Sequence, residues 1–384
     1  MILLFAPLAL AQSDRAETWS FAVSGDSRNC GDVIMPTIAA SVLKQNKVAF
    51  YWHLGDFRAM TGIDEDMKQR YGSGLSLSDY RQDAWGDFLS HQVAPFDPLP
   101  VFLAIGNHET YGDRTPTEYL AQFSYWLDSP ELHDQRIQDK LPDQSVKPYF
   151  HWQERGIDFI SLDNSQEDGF DDMQLTWFEG VLARDLADPK VKTIVTGMHR
   201  ALPNSFACAH SMNGDVGTPD QTTLRKETVS GRRAYNDLAK WQQESGKHVY
   251  VLASHSHFYM EDIYDTAYWN NPAHGGIVLQ GWIVGTAGAR RTSLPSTVPQ
   301  AVLDEHHART GISGYLLGTV HPDGTISFEY EEVKEKDVPQ AVRASFAGEY
   351  VNGKYCGNFT TWCFEQNANY SAAPVRVPPS CNEK

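Results

Sequence analysis

The chain has 384 residues, enough for one large α/β domain or two smaller ones, and 41% of them are hydrophobic, including 10 Trp, 17 Tyr and 18 Phe. Such a composition fills a core and excludes disorder over most of the length. A formal net charge of -17 excludes nucleic acid as a general partner and disfavours docking on anionic lipid, although an anionic substrate still binds where a local cation inverts the field.

In chain order, the first segment is MILLFAPLALAQSDRAETWS. Residues 2–11 are apolar, and Ala9-Leu10-Ala11 resembles a cleavage site. Residues 1–11 therefore read as a signal peptide, one without the basic residue that usually leads it, and too short to span a membrane. A periplasmic or secreted protein is expected. No other run is long enough for a membrane span. Apolar, β-branched or aromatic runs predict strands at 18–24, 48–54, 101–105, 156–162, 193–196 and 248–253. Helical spacing predicts helices at 33–45, 80–92, 117–127, 172–187 and 232–245. The alternation points to an α/β layered fold. After 248 the runs 275–287, 312–320 and 325–332 are β-rich, with a turn at Pro322-Asp323-Gly324, and predict a second sheet packed on the first. Residues 12–334 read as one domain. Residues 335–384 read as an extension that a disulfide would pin. Among the five cysteines, Cys356 with Cys363, either with Cys381, and Cys30 with Cys208 are all open pairings.

Polar residues gather where the predicted strands end. WSFAVSGDSRNC ends in Gly25-Asp26, and AFYWHLGDFR in Gly55-Asp56. VFLAIGNHE ends in Gly106-Asn107-His108-Glu109, KTIVTGMHR in Gly197-Met198-His199, and HVYVLASHSH in His255 and His257. Ligands of open α/β sheets bind at the carboxyl ends of strands. Residues two apart on a strand share a side, so His255 and His257 would present two imidazoles together. One Gly-Asp turn or one histidine means little. Five successive strand ends carrying Asp, Asp, Asn, His and His-x-His mean more. Mixed Asp/Asn/His ligation suits zinc, manganese or iron, and two such ions close together can share a carboxylate and activate water for hydrolysis.

The order GD, GD, GNHE, GMH, SHSH resembles the calcineurin-like metallophosphoesterase superfamily, closest to its purple-acid-phosphatase-like members. DAWGDFLSHQVAPFDPLPVFLAIGNHE resembles the helix and strand leading into the third motif of those proteins. HRALPNS resembles the segment after the fourth, and WIVGTAGA and TGISGYLLGTVHPDGTISFEY resemble the closing strands. The likeness covers roughly 18–333. It implies a four-layer α/β/β/α sandwich of two mixed β-sheets flanked by helices. It also implies two Fe, Zn or Mn-type metal ions. One would take Asp56, Asn107, His199 and His255; the other would take Asp26, Asp56 and His257, with Asp56 bridging. A metal-bound hydroxide would attack phosphorus, with His108 assisting the leaving group. The implied activity is hydrolysis of a small phosphomonoester. A phosphodiesterase or nucleotidase on the same site, or a non-catalytic metal-binding secreted protein, are the alternatives.

Two departures bear on the second ion. The superfamily's His two residues after the first Asp is Arg28 here. The Tyr that purple acid phosphatases place three residues after the second Asp is Ala59. Guanidinium has no lone pair to offer a metal. Either the weakened position still fills, or one firm ion works with Arg28 or Arg58 holding phosphate oxygens. His53 reads as a core histidine and His306-His307 as surface. His210, in the insert 200–231, gets little weight as a site residue. Oligomeric state is not legible in the sequence.

Overall fold

The computed structural model describes residues 17–72, 74–112, 114–141, 143–213, 225–346 and 358–369. The expected signal segment, Cys356, Cys381 and residues 214–224 of the insert lie outside them. Three parallel strands, β1 (Trp19–Ser24), β2 (Val48–His53) and β3 (Val101–Leu103), start the first sheet. The second contains β4 (Phe150–Glu154), β5 (Ile157–Leu162), β6 (Thr193–Met198), β7 (His248–Ala253), β8 (Tyr259–Met260) and β9 (Gln280–Val284). Then β10 (Gly314–Val320) returns to pair antiparallel with β1, and β11 (Ile326–Glu332) pairs with β10. The orders are β11-β10-β1-β2-β3 and β4-β5-β6-β7-β9-β8. Both sheets are mixed.

Alternation along the strands explains the layering. Trp19, Phe21 and Val23 of β1 share one face and pack with Phe50, Trp52 and Phe159 between the sheets. Phe21 meets Phe159 of the other sheet edge-on at 4.9 Å. The opposite face of β1, through Ala22, packs with Val33, Ile34 and Ile38 of α1 (Gly31–Val42). On the second sheet, Ile160 and Leu162 face away from the first and meet Leu175, Phe178, Leu238 and Trp241 of helices Asp172–Ala187 and Lys226–Ser245. The result is helix, sheet, sheet, helix. Each large apolar side chain buried this way stabilises the fold by roughly 1.5–3 kcal/mol. Gly197 leaves room for Trp52 of the other sheet: a Cβ there would come within 2.2 Å of its ring.

The structure departs from the expected elements in several places. Runs 312–320 and 325–332 do not build the second sheet but extend the first, because β10 is buried on both faces, by Leu316 toward the other sheet and Tyr315 toward α1. The helix expected at 80–92 starts earlier, at Leu77, ends at Phe88 and continues as a wider turn over Leu89–Val93 ahead of Pro95. The helix expected at 117–127 is broken at Phe123, between Pro116–Gln122 and Ser124–Leu127. Two short elements precede the third strand: α2 (Glu65–Tyr71), and α3 (Leu77–Phe88), capped by Ser76 accepting from the Asp79 amide. Cys30, at the N-cap of α1, is disulfide-bonded to Cys363, so it is not available to Cys208, nor Cys363 to Cys356 or Cys381. Cys208 is disulfide-bonded as well. Among the described residues, no helix is long and apolar enough to cross a membrane.

Candidate metal centre

The carboxyl ends of β1, β2, β3, β6 and β7 converge from the two sheets. Directly after β1 and β2, Asp26 and Asp56 both adopt φ of 60°, and after β7 His255 adopts φ of 63°. This left-handed conformation is uncommon for residues with a side chain, and it turns all three out of strand direction and into the shared cleft. His255 and His257 therefore do not share a strand face. They lie beyond β7, and the turn sends them to different partners: His255 to His199, and His257 to Asp26. Asn107 and His108 open a short 3-10 turn, Asn107–Thr110, after β3. Gly106 lets that turn come close, since a Cβ there would lie 2.4 Å from the Asp56 amide nitrogen.

One set of donors is tight. His199 Nε2 lies 3.2 Å from Asp56 Oδ1, 2.9 Å from Asn107 Oδ1 and 3.0 Å from His255 Nδ1. The other His199 nitrogen, Nδ1, bonds the Leu54 carbonyl at 2.9 Å, so Nε2 is the one turned inward. Beside this set, His257 Nε2 is 3.2 Å from Asp26 Oδ1. Asp26 Oδ2 accepts from the His255 amide at 2.6 Å and from the Ser254 hydroxyl. Arg28 reaches across the cleft: Nη2 is 2.9 Å from His257 Nε2, Nη1 touches His108 Nε2, and Nε is 3.8 Å from Asp56 Oδ2. The aspartates and His199 are fully buried, while Asn107, Arg28 and His255 stand at the half-buried rim.

Electrostatics match a site made for positive charge. Burial pushes the Asp56 carboxyl up, but His108, His199 and Arg28 hold it well below the usual carboxylate range. Asp26 is likewise held low against its burial, chiefly by His257. His199 is pushed up to about 9, because Asp56 outweighs burial. His255 is driven well below the ordinary imidazole value by burial and by its neighbour His199. Two histidine nitrogens in contact at 3.0 Å can share one cation, a proton here or a metal in its place.

The family described as calcineurin-like phosphoesterase matches residues 30–259, more than half of the sequence. The chain belongs to that family. No curated protein matches it. A purple acid phosphatase, PPD1, from yellow lupin (Lupinus luteus) seeds is similar in fold, with 14% identity and a TM-score of 0.50 over 82% of this chain and 52% of that one. This chain thus spans about half the length of the lupin structure. Two further structures have lower TM-scores. PhoD gives 0.46 at 14% identity, over 82% of this chain and 68% of that one. GAP50, the anchor in the inner membrane complex of Plasmodium, gives 0.44 at 10% identity, over 86% and 94%. The matched segment carries Asp56, Asn107, His199, His255 and His257; Asp26 and Arg28 lie just before it.

Membership and donor groups together suggest a phosphoesterase metal centre with two positions. The residues fit the first. Asp56, His199 and His255 bring ligand atoms within 4.8 Å of one another, and Asn107 Oδ1 adjoins them. Donor separations near 3 Å are what ligands sharing one ion at about 2.0–2.2 Å would show. The second position fits in part. Asp26 Oδ1 and Asp56 Oδ2 are buried and make no hydrogen bond, as ligand oxygens awaiting a cation would be. His257 Nε2 completes that set, but it is already met by the Arg28 guanidinium.

Arg58 does not join the phosphoesterase cleft. It is fully buried and paired with Asp32 at 2.6 Å, Asp66 at 3.0 Å, Asp64 at 3.9 Å and Asp87. Its expected contact with substrate is therefore replaced by a structural one. His53 is a core histidine, with Nδ1 accepting from the Gly55 amide and its ring edge-on to Phe57. His306 is buried against Phe206 rather than at the surface, while the His307 side chain is exposed. His210 comes nearer than its position in the insert suggests, with its ring 5.5 Å from that of His255. Glu109 is the functional residue that the sequence reading passed over. Its carboxylate accepts from the amides of Asp56 at 2.8 Å, Phe57 at 2.9 Å and Gly106 at 2.8 Å. The GNHE string that carried Asn107 and His108 also held this signal.

Proposed function

We propose that this protein is an exported metal-dependent phosphoesterase that hydrolyses small phosphomonoesters. The observation that carries the reading is the convergence of Asp56, Asn107 and His255 on His199, each with a ligand atom about 3 Å from His199 Nε2. An ion held there supplies positive charge against phosphoryl oxygens and lowers the pKa of water within its reach. The chain's own residues do the rest. Asp26 and Asp56, buried and ionised, give the cleft floor a negative charge that retains cations. Arg28 stands at the rim with its side chain 19% exposed, where its planar fork meets a phosphate entering from solvent. His108 gives Nδ1 to the Ala59 carbonyl and turns Nε2 into the cleft, 3.6 Å from Asp56 Oδ2. When that nitrogen carries a proton, it can pass it to the departing oxygen. When it does not, Arg28 donates to it. Export is supported by the apolar leader and by the Cys30–Cys363 disulfide, which persists in oxidising compartments.

The test is hydrolysis of p-nitrophenyl phosphate, phenyl phosphate and bis(p-nitrophenyl) phosphate before and after chelation and metal return. Monoester turnover that chelation abolishes and metal restores is expected. A faster rate on the bis ester moves the protein to the diesterase class, and no rate on any ester with metal bound sinks the reading. His108→Asn should lower kcat by roughly 10²–10⁴ on phenyl phosphate and much less on p-nitrophenyl phosphate, whose leaving group needs no proton. Burial and Arg28 lower the His108 pKa below 6.5, so the phenyl phosphate rate should fall as pH rises through that lower value. Equal losses on both monoesters would remove His108 as the acid.

A further inference from the structure

The second metal position is already furnished with a cation. We infer that the Arg28 guanidinium stands there in place of an ion, so that the centre holds one ion per chain, at Asp56, Asn107, His199 and His255. The inference rests on the metal-dependent reading above and narrows it.

The geometry carries it. His257 Nδ1 and His108 Nδ1 each meet a backbone carbonyl, of Arg290 and of Ala59. A carbonyl only accepts and a guanidinium only donates, so with Arg28 in this place each Nδ1 carries the proton and each Nε2 presents a lone pair, that of His257 lying also 3.2 Å from Asp26 Oδ1. Both lone pairs are turned on the same guanidinium, through Nη2 at 2.9 Å and through Nη1. Five N–H donors on a planar fork suit two such acceptors, and the same group faces Asp56 Oδ2 through Nε at 3.8 Å. The nitrogen that would ligate a second ion is thus engaged by a permanent charge, and the oxygen that would bridge two ions faces it. An ion placed among these atoms would displace Arg28 or sit against its charge. Nor can Arg28 drift away cheaply, since its side chain is largely enclosed. At the first position Arg28 faces only the outer oxygen of Asp56, while Asp56 Oδ1 is turned to His199, and no Lys or Arg contact with His199, Asn107 or His255 is present among the described residues.

The arrangement also changes how substrate is met. A single ion and a fixed arginine, on either side of Asp56, form a mixed clamp for a phosphoryl group. An ion can be stripped by chelation or exchanged; the arginine half cannot.

The experiment is metal counting on the full-length protein. Chelated protein is reloaded with excess Mn²⁺ or Zn²⁺, passed through a desalting column, and its metal measured per chain, alongside Arg28→His, Arg28→Ala and His257→Ala. The expected result is one ion in the wild type, a lone-ion Mn²⁺ spin-resonance spectrum, and one ion still in His257→Ala. Arg28→His removes the guanidinium and adds a nitrogen ligand, so it should rise to two ions with an exchange-coupled spectrum. Arg28→Ala should show a second ion that washes off more easily. Two ions in the wild type would overturn the inference and leave the phosphoesterase reading standing. No ion in the wild type would overturn both. Should Arg28→His fail to fold by circular dichroism, the wild-type count and spectrum still decide.

Discussion

Glu109 sends no atom to the metal position, yet it sets the two turns that do. Its carboxylate collects the amides of Gly106, Asp56 and Phe57, so the turn after β2 and the turn after β3 are tied to one side chain. Burial and the nearby Asp56 charge push its pKa up to about 8, which makes it a costly group to keep and one that three N–H donors must hold. Glu109→Gln keeps the shape but turns an NH₂ group toward backbone donors. We expect Asp56 to shift and metal affinity to fall roughly 10–100-fold, as for other residues that orient ligands. Competition with a chromophoric chelator measures it. A variant with unchanged affinity and only a lower Tm would reduce Glu109 to a structural role. Residues of this kind are only partly legible in sequence. Asp26, Asp56, Asn107, His199, His255 and His257 stand out because each follows a strand run, and the structure brings all six to one cleft. Arg58 misleads for the same reason: it sits two residues past Asp56, but the left-handed turn at Asp56 precedes it, and two of its partners, Asp32 and Asp87, lie 26 and 29 residues away.

Those partners make Arg58 a matter of elements. Asp32 belongs to α1, Asp66 to α2, Asp87 to α3, and Asp64 is the N-cap of α2, so one guanidinium joins three helices to the turn that carries Asp56. Removing it leaves buried carboxylates without their counter-charge, a loss of roughly 3–5 kcal/mol for a broken buried pair. Arg58→Met should therefore lower Tm steeply, while the fraction that stays folded keeps a near-normal KM for p-nitrophenyl phosphate. An unaltered Tm with a raised KM would return Arg58 to the substrate. At this scale the sequence shows strands better than it shows their neighbours. Runs 312–320 and 325–332 read plainly as β, but pairing with β1 depends on contacts almost 300 residues away, which no local pattern encodes. The edge strand β4 escapes notice for a different reason. Its FHWQE alternation hides His151, which is buried in the sheet between Asp139 at 2.8 Å and Asp158 at 2.9 Å and looks polar only in sequence.

In the whole molecule the cleft is assembled from both sheets, so anything that holds the sheets in register also holds the ligands. Asp26 and Asp56 come from the first sheet, His199, His255 and His257 from the second, and Gly197 with Trp52 sets their approach. The disulfide adds a tie of another kind. Cys30 caps α1 two residues beyond Arg28, and Cys363 lies in the helix Phe359–Asn369, 333 residues away in sequence. Arg291 reinforces the junction by donating to the Cys363 carbonyl at 3.0 Å. A crosslink closing so long a loop restricts the unfolded chain strongly, worth about 6 kcal/mol in the loop-entropy account. Cys363→Ser should consequently lower Tm by several degrees, yet leave metal content at 25 °C unchanged, because no ligand lies on the lost side of the bond. Reduction of the native protein should shift Tm by at least a similar amount and leave Cys363→Ser with a smaller shift. Were Cys30 and Cys363 alkylated by iodoacetamide in the unreduced, unfolded protein, the bond would not exist, and the case for an oxidising compartment would rest on the apolar leader and the Cys208 disulfide. If the bond is present, the same protein made in a reducing cytoplasm should show the lower Tm of Cys363→Ser, and reoxidation should restore it. That recovery would link where the protein matures to how firmly the turn carrying Arg28 is held.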